Sequence, residues 1–373
     1  METVRLIIEC GLGGERERWL GTFGKILYRL PMINSYVVEV SGESAEALAN
    51  AEGVTSVCQT AVITAQTNWA RGFTGKNICV AILDTGVGDT RDLGKRVVVF
   101  KDFVQGKPYL YDDNGHGTHV AGIVAGNGLN SDGMYCGVAP EANVAAIKIL
   151  NEKGHGDTAD VLAGIQWVLD NRARFSIRIM NLSIGMGVAK KKDPLISAVE
   201  AVWDAGIVVV TAAGNSGPAA GSVTSPGVSR KVLTVGSSDD GKTVYGWGST
   251  LKNFSGRGPT SECIVKPDIV APGADIISCL APNLPKARLR ELDGQIVSAD
   301  YVRMSGTSMS TPMVSGAAAL LLQKYPDLTP DDVKFMLRSA AVDLNLSENQ
   351  QGLGLLDIKK LMEEEEIHVR EHV

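Results

Sequence analysis

Beyond residue 76 the chain alternates two kinds of apolar stretch. Short runs rich in valine and isoleucine fall at 78–83, 144–149, 179–183, 207–211 and 232–235, and longer stretches of helix-forming residues fall at 116–125, 158–169, 193–204, 308–323 and 331–340. An unbroken branched run suits a strand buried on both faces. Strands that alternate with helices predict a mostly parallel sheet covered on both sides, so the expected architecture is a three-layer, doubly wound α/β domain. The first part of the chain reads differently. Strand candidates at 4–8, 25–30, 35–40 and 54–57, with helix candidates at 15–20 and 43–51, give a β-α-β-β-α-β order, the ferredoxin-like pattern of a small α+β domain. The expected division is 1–65 and 66–373.

Three element ends in the larger region carry reactive side chains. The run at 78–83 leads into Asp84-Thr85-Gly86, a carboxylate at the carboxyl end of a central strand, where ligands bind in open α/β sheets. His116 stands between Gly115 and Gly117 at the start of a small-residue helix. Ser308, in Gly306-Thr307-Ser308-Met309-Ser310-Thr311-Pro312, opens a segment that stays almost wholly apolar through Leu322. That segment is too short to cross a bilayer and apolar on every side, so it reads as a buried helix. Pro312 has no N–H to lose and is tolerated in a first turn. Ser308 would then sit where unpartnered N–H groups and the helix dipole favour an anion. Taken alone, Ser308 reads as an N-cap. Together the three side chains are the parts of an acyl-transfer site. Ser308 is the nucleophile, His116 the base that takes its proton and returns it to the leaving amine, and Asp84 the group that holds the imidazole. Asn215, in Ala213-Gly214-Asn215-Ser216-Gly217, offers a side-chain N–H to an oxyanion, although by itself it reads equally well as a turn residue.

The blocks Val80-Ala81-Ile82-Leu83-Asp84-Thr85-Gly86, His116-Gly117-Thr118-His119-Val120-Ala121-Gly122, Ala213-Gly214-Asn215-Ser216-Gly217 and Gly306-Thr307-Ser308-Met309-Ser310-Thr311-Pro312 resemble the Asp, His, oxyanion-Asn and Ser blocks of the subtilisin-like serine proteases. The order Asp, His, Ser is that of subtilisin. Gly137-Val138-Ala139-Pro140 and Lys266-Pro267-Asp268-Ile269-Val270-Ala271-Pro272-Gly273 match between them, and Trp167, Asn171 and Met180-Asn181-Leu182-Ser183 are most like the intracellular bacterial alkaline proteases.

The resemblance implies a serine endopeptidase working through an acyl-enzyme. Lys153-Gly154-His155-Gly156 and Ser183-Ile184-Gly185 resemble the two segments that hold an extended polypeptide substrate as an added strand. The pocket for the residue before the scissile bond would be walled by Ser183-Ile184-Gly185 and Ala212-Ala213-Gly214, with Thr224 near its floor. No carboxylate occurs in these segments, so an apolar side chain is expected there. Residues 1–65 would be a prodomain that helps the protease fold and lays its last residues through the active-site cleft as an inhibitor, making the chain a zymogen that processes itself. The connection at 58–67 is shorter than the family often shows. Ser310 stands where the family commonly has alanine, and its hydroxyl is expected to find backbone or water. His119, three residues after His116, is structural in the family rather than half of a metal pair. The chemistry needs no cofactor. Calcium is a family habit, and the resemblance puts Asp92 at a ligand position with Asn127, Asn130 and Asp132 in an oxygen-rich loop, but no residue is assigned to a metal.

Composition narrows the partners. A net charge of −6 argues against nucleic acid or an anionic membrane surface. Met1-Glu2-Thr3-Val4-Arg5 does not read as a signal peptide, and no run approaches a membrane span. Cys10, Cys58, Cys79, Cys136, Cys263 and Cys279 show no paired spacing and are expected as thiols, so the expected compartment is the cytoplasm. Two other readings keep parts of this picture. A pseudoprotease is disfavoured by the intact Asp84, His116, Asn215 and Ser308 set. A nucleotide-binding domain is disfavoured because Asp84-Thr85-Gly86-Val87-Gly88 stands where a G-x-G-x-x-G would follow the first strand.

Overall fold

The computed structural model describes residues 3–30, 35–49, 51, 53–59, 72–185, 187, 193–241, 243–246 and 249–363. The expected boundary at 65/66 and most of the connection at 58–67 lie outside these residues. The chain divides into two compact units, Met1–Thr64 and Ala65–Val373.

The first unit contains β1 (Thr3–Glu9), α1 (Gly14–Leu20), β2 (Gly24–Leu30), β3 (Ser35–Ser41), α2 (Gly42–Ala49) and β4 (Ser56–Gln59). Its sheet runs β2-β3-β1-β4 with every neighbouring pair antiparallel. Alternation along the strands places Leu6, Ile8, Val38 and Val40 in one core with Leu20 of α1 and Leu48 of α2.

The second unit begins with β5 (Cys79–Asp84), β6 (Val97–Asp102), α3 (His116–Ala125), β7 (Asn143–Lys148), α4 (Thr158–Asn171), β8 (Ile177–Leu182), α5 (Pro194–Asp204), β9 (Val208–Ala212) and β10 (Leu233–Ser237). It continues with β11 (Val244–Gly246), β12 (Ser249–Leu251), β13 (Ile269–Ala271), β14 (Ile276–Cys279), α6 (Lys286–Glu291), β15 (Tyr301–Met304), α7 (Thr307–Lys324), α8 (Pro330–Ser339), α9 (Glu348–Gln351) and α10 (Ile358–Glu363). Seven strands form one sheet in the order β13-β10-β9-β8-β5-β7-β6, all parallel. Every residue of β5 and of α3 is buried, which accounts for the apolar run Cys79–Leu83 and the apolar and small residues of Val120–Ala125. Helix α7 is likewise buried along nearly its whole length, with Pro312 in its second turn. Helices α3 and α7 pack on each other and against the sheet, as do α4 and α5. Asp157 and Asp193 cap α4 and α5 through their side chains, and Thr329 with Asp332 forms a capping box on α8. Because the strands are parallel, their carboxyl ends share one edge. Asp84, the Asn181–Ser183 segment and the Ala212–Gly214 segment all fall there. No helix among the described residues is long and apolar enough to cross a membrane.

Candidate active site

At the end of β5 the carboxylate of Asp84 is fully buried, and its Oδ1 lies 2.8 Å from Nδ1 of His116, the first residue of α3. The same oxygen accepts the Thr85 N–H at 2.7 Å, which fixes the carboxylate plane. A carboxylate beside Nδ1 holds the proton on that nitrogen and leaves Nε2 as the proton acceptor. The loop ahead of α3 is ordered by Asp112. Its carboxylate accepts the N–H groups of Asn114, Gly115 and Thr118 and the hydroxyls of Thr85 and Thr118. Gly117 could carry no side chain, because a Cβ there would stand 2.1 Å from the Gly86 carbonyl oxygen. The small-residue sequence of this helix start thus lets it approach the Asp84 turn.

Ser308 is the second residue of α7, and its Oγ donates to the Ser183 carbonyl at 3.0 Å. The Ser183 hydroxyl in turn donates to the Ser308 carbonyl at 3.0 Å and accepts from Asn181 Nδ2, whose Oδ1 is held by Ser315. Asn215 lies beside Gly306, and its Oδ1 accepts both the N–H and the hydroxyl of Thr307, at 2.9 and 3.0 Å. With the oxygen so engaged, the amide N–H₂ is the group left to donate elsewhere.

A cleft of about 530 Å³ brings together His116, Gly154, Ser183, Ile184, Gly185, Gly214, Asn215, Thr224 and Ser308. Leu150, His155, Ser216 and Thr307 complete much of its wall, and among the described residues none that lines it is Asp or Glu. Asp84 stands behind His116. Ala213 is set back from the cleft: it is fully buried, and its carbonyl accepts the N–H of Thr224. A Cβ at Gly185 or Gly214 would come within 2.5 or 2.4 Å of Thr224 Oγ1, so the two glycines keep open the recess that Thr224 floors.

His119 does not join the site. Its Nε2 bonds the Ile276 and Val302 carbonyls at 3.0 and 3.2 Å, and burial, reinforced by His116, lowers its pKa to about 3. Ser310 stands in the first turn of α7. It is fully buried, and its Oγ has no hydrogen-bond partner among the described residues. It packs so closely on Gly273 that a Cβ there would stand 2.4 Å from the hydroxyl oxygen. Asp92 does not suit calcium. Its Oδ1 accepts the Asn130 N–H at 2.9 Å, and its Oδ2 accepts the Tyr301 hydroxyl at 2.5 Å and faces the Cys279 thiol at 3.8 Å. Burial, with Asp92 beside it, pushes that thiol up to about 12, so it remains a hydrogen donor. A cation here would meet donors where it needs oxygen lone pairs.

A model described as the subtilase family matches residues 75–354. The chain belongs to the subtilase family. It is therefore a hydrolase of serine-protease type. This subtilase is 47% identical over 274 residues to serine protease AprX of Bacillus subtilis (strain 168), an alignment that covers 72% of the chain but 62% of AprX. It is 36% identical over 294 residues to subtilisin DY of Bacillus licheniformis, covering 78% of the chain and 92% of that protein. Among solved structures, a cold adapted subtilisin-like serine proteinase aligns with TM-score 0.59 and 32% identity over 77% of this subtilase and 89% of its own chain. Sphericase aligns with TM-score 0.61 and 28% identity over 76% and 92%.

Neither Asp112 nor Asn181 was legible as part of the site. Asp112 stands in Tyr111-Asp112-Asp113-Asn114, which reads as ordinary loop chemistry, and Asn181 is the one polar residue in the buried run Ile179-Met180-Asn181-Leu182. A polar residue inside a buried run is the one signal that could have marked Asn181, since it must find a partner.

Proposed function

We propose that this chain is a serine endopeptidase in which Ser308 is the nucleophile, His116 the general base and acid, Asp84 the group that orients His116, and Asn215 an oxyanion donor. The observation that carries the reading is the 2.8 Å Asp84–His116 bond opening onto the cleft that also contains Ser308. A peptide would lie as an added strand between the Gly154 segment and Ser183-Ile184-Gly185, its P1 side chain entering the recess above Thr224. Ser308 Oγ gives its proton to His116 Nε2 and bonds the scissile carbonyl carbon, and the carbonyl oxygen becomes negative. Asn215 Nδ2 and the Ser308 backbone N–H, at a helix start where such groups lack internal partners, receive that charge. His116 then protonates the leaving amine, and water hydrolyses the acyl-enzyme by the reverse proton path. A cleft with no acidic side chain among its described lining residues favours an apolar P1 side chain over lysine or arginine.

On the same reading, residues 1–65 are an inhibitory prodomain of ferredoxin-like form, bound in the cleft until the enzyme cleaves it, and the protein works in the cytoplasm. The free thiols of Cys10, Cys79, Cys136, Cys263 and Cys279 support that compartment. The test uses the purified full-length protein and its Ser308→Ala variant. Intact mass should show the parent shortened by loss of its N-terminal segment and the variant at full length, and a fluorophosphonate probe should label the processed parent on Ser308 alone. A processed parent that takes no label would instead establish a pseudoprotease.

A further inference from the structure

Lys148, the last residue of β7, is fully buried, and all three of its ammonium hydrogens are used. Nζ donates to the Thr85 carbonyl at 2.6 Å, to Asp113 Oδ1 at 2.7 Å and to the Leu150 carbonyl at 2.8 Å, and lies 5.1 Å from the centre of the Tyr111 ring. Those partners belong to three segments of the site. Thr85 follows Asp84, Asp113 lies in the loop that leads into His116, and Leu150 lines the cleft. The tie is reinforced on both sides. The Asp84 carbonyl accepts the N–H groups of Ile149 and Leu150, while Asn114 accepts the His116 N–H and donates to the Glu152 carbonyl. Burying an ammonium is costly, and a well-packed apolar residue would serve stability as well or better. The placement therefore calls for a reason other than stability.

We infer that Lys148 is a positioning residue for the peptidase reaction: one ammonium fixes the Asp84 turn, the His116 loop and the substrate rim relative to each other, and its pairing with Asp113 keeps the local charge balanced around His116. The inference rests on the assignment of His116 as general base. Among the described residues, the other charged or titratable groups around His116 include Asp84 at 2.8 Å, Asp112 on the preceding loop, His119 on the same helix, His155 in the lining of the same cleft and Arg288, whose Nε donates to the Asn114 carbonyl. Asp102, beside Lys148 in the β6–β7 register, is occupied by three backbone N–H groups and the Tyr111 hydroxyl.

Removing either partner of the pair leaves the other charge uncompensated, with opposite consequences for a nearby imidazole. Lys148→Met leaves Asp113 unpaired and favours imidazolium, so the acid limb of kcat/KM should move up by roughly half a pH unit. Asp113→Asn leaves the ammonium unpaired, disfavours imidazolium and should move the limb down by a similar amount, while the double variant should return close to the parent. Because the ties to Thr85 and Leu150 survive in Asp113→Asn, its kcat should fall less than tenfold, against roughly ten- to a hundredfold in Lys148→Met. The assay is kcat/KM against a chromogenic peptide across the acid limb, with thermal melts to verify folding and fluorophosphonate labelling of the parent in parallel. Limbs that stay put, or that shift in the same direction, overturn the inference. Should Lys148→Met fail to fold, the downward shift in Asp113→Asn decides alone, since Asp113 is 20% exposed and its change leaves no cavity. A parent that neither labels nor cleaves overturns the peptidase assignment instead.

Discussion

His119 gives this fold a pH dependence that can be measured apart from activity. Its Nε2 hydrogen is shared by carbonyls on β14 and β15, and burial lowers its pKa to about 3. A histidine in an unfolded chain titrates near about 6.5. Above that value neither state binds the proton, and the residue adds no slope. Between about 6.5 and 3 the unfolded chain takes up a proton that the folded protein refuses, so stability falls with pH by about 1.4 kcal/mol per unit. By about pH 4.5 the loss is about 3 kcal/mol, a large part of the stability of an ordinary domain.

The variant to compare is His119→Gln, which keeps an amide donor for one of the two carbonyls and cannot titrate. Both proteins should carry Ser308→Ala so that proteolysis does not distort the unfolding curves. At about pH 7.5 the glutamine protein should be less stable by about 1–2 kcal/mol for its poorer hydrogen bonding. Towards about pH 4.5 that gap should close and reverse, because only the histidine protein pays for the proton, while the shared carboxylates cancel in the difference. Urea titrations at several pH values give the result directly. Parallel curves of stability against pH would refute the reasoning.

Three further changes test separate parts of the site. Asn215→Ala should lower kcat by about 100- to 1000-fold with little change in KM, a magnitude that takes subtilisin's own oxyanion asparagine as precedent; steady-state kinetics with an unchanged kcat would remove Asn215 from the mechanism. Ser310→Ala should raise Tm by roughly 2 °C, because it deletes a buried hydroxyl that lacks a partner among the described residues at a benefit of about 1 kcal/mol; a lower Tm by calorimetry would show that the hydroxyl is satisfied. Gly185→Ala puts a methyl 2.5 Å from Thr224 Oγ1 and narrows the recess. It should cut kcat/KM for a phenylalanine P1 residue relative to alanine by about 10- to 200-fold, and an unchanged ratio would mean that P1 binds elsewhere.

The strands whose sequence is continuous and apolar were legible because they are buried on both faces, and so was the helix at His116–Ala125, whose polar residues all lie in its first four positions and are followed by an apolar and small-residue run. Strand β6 carries Val97-Val98-Val99-Phe100, a strand signal that strict alternation with helices passes over, since only a single 3₁₀ turn, at Gly94–Arg96, separates it from the end of β5 among helical elements. Strand β13 is three residues long and owes its strand form to pairing with β10 and, through Val270, with the segment around Leu355. The same limit applies to the site. The reactive groups sit in short motifs with unusual chemistry, whereas Asp112, Lys148 and Asn181 gain their meaning from partners far along the chain. Asn181 meets Ser315 across 134 positions, and no local pattern announces that.

These supports cluster where they do for a physical reason. At the carboxyl edge of a parallel sheet the backbone ladder ends, and the N–H and C=O groups of the following turns must be satisfied by side chains. Asp112 collects N–H groups and Lys148 collects carbonyls, and both fix the segments that carry Asp84 and His116. The proposed catalytic arrangement and the satisfaction of the sheet edge are therefore largely the same hydrogen bonds. Ser183 carries this furthest, because its carbonyl holds the Ser308 hydroxyl while its own segment is the proposed binding edge for substrate. A peptide that pairs with Ser183-Ile184-Gly185 approaches the very group that occupies the nucleophile, so on the proposed reading the docking of substrate and the turning of Ser308 toward His116 are one event.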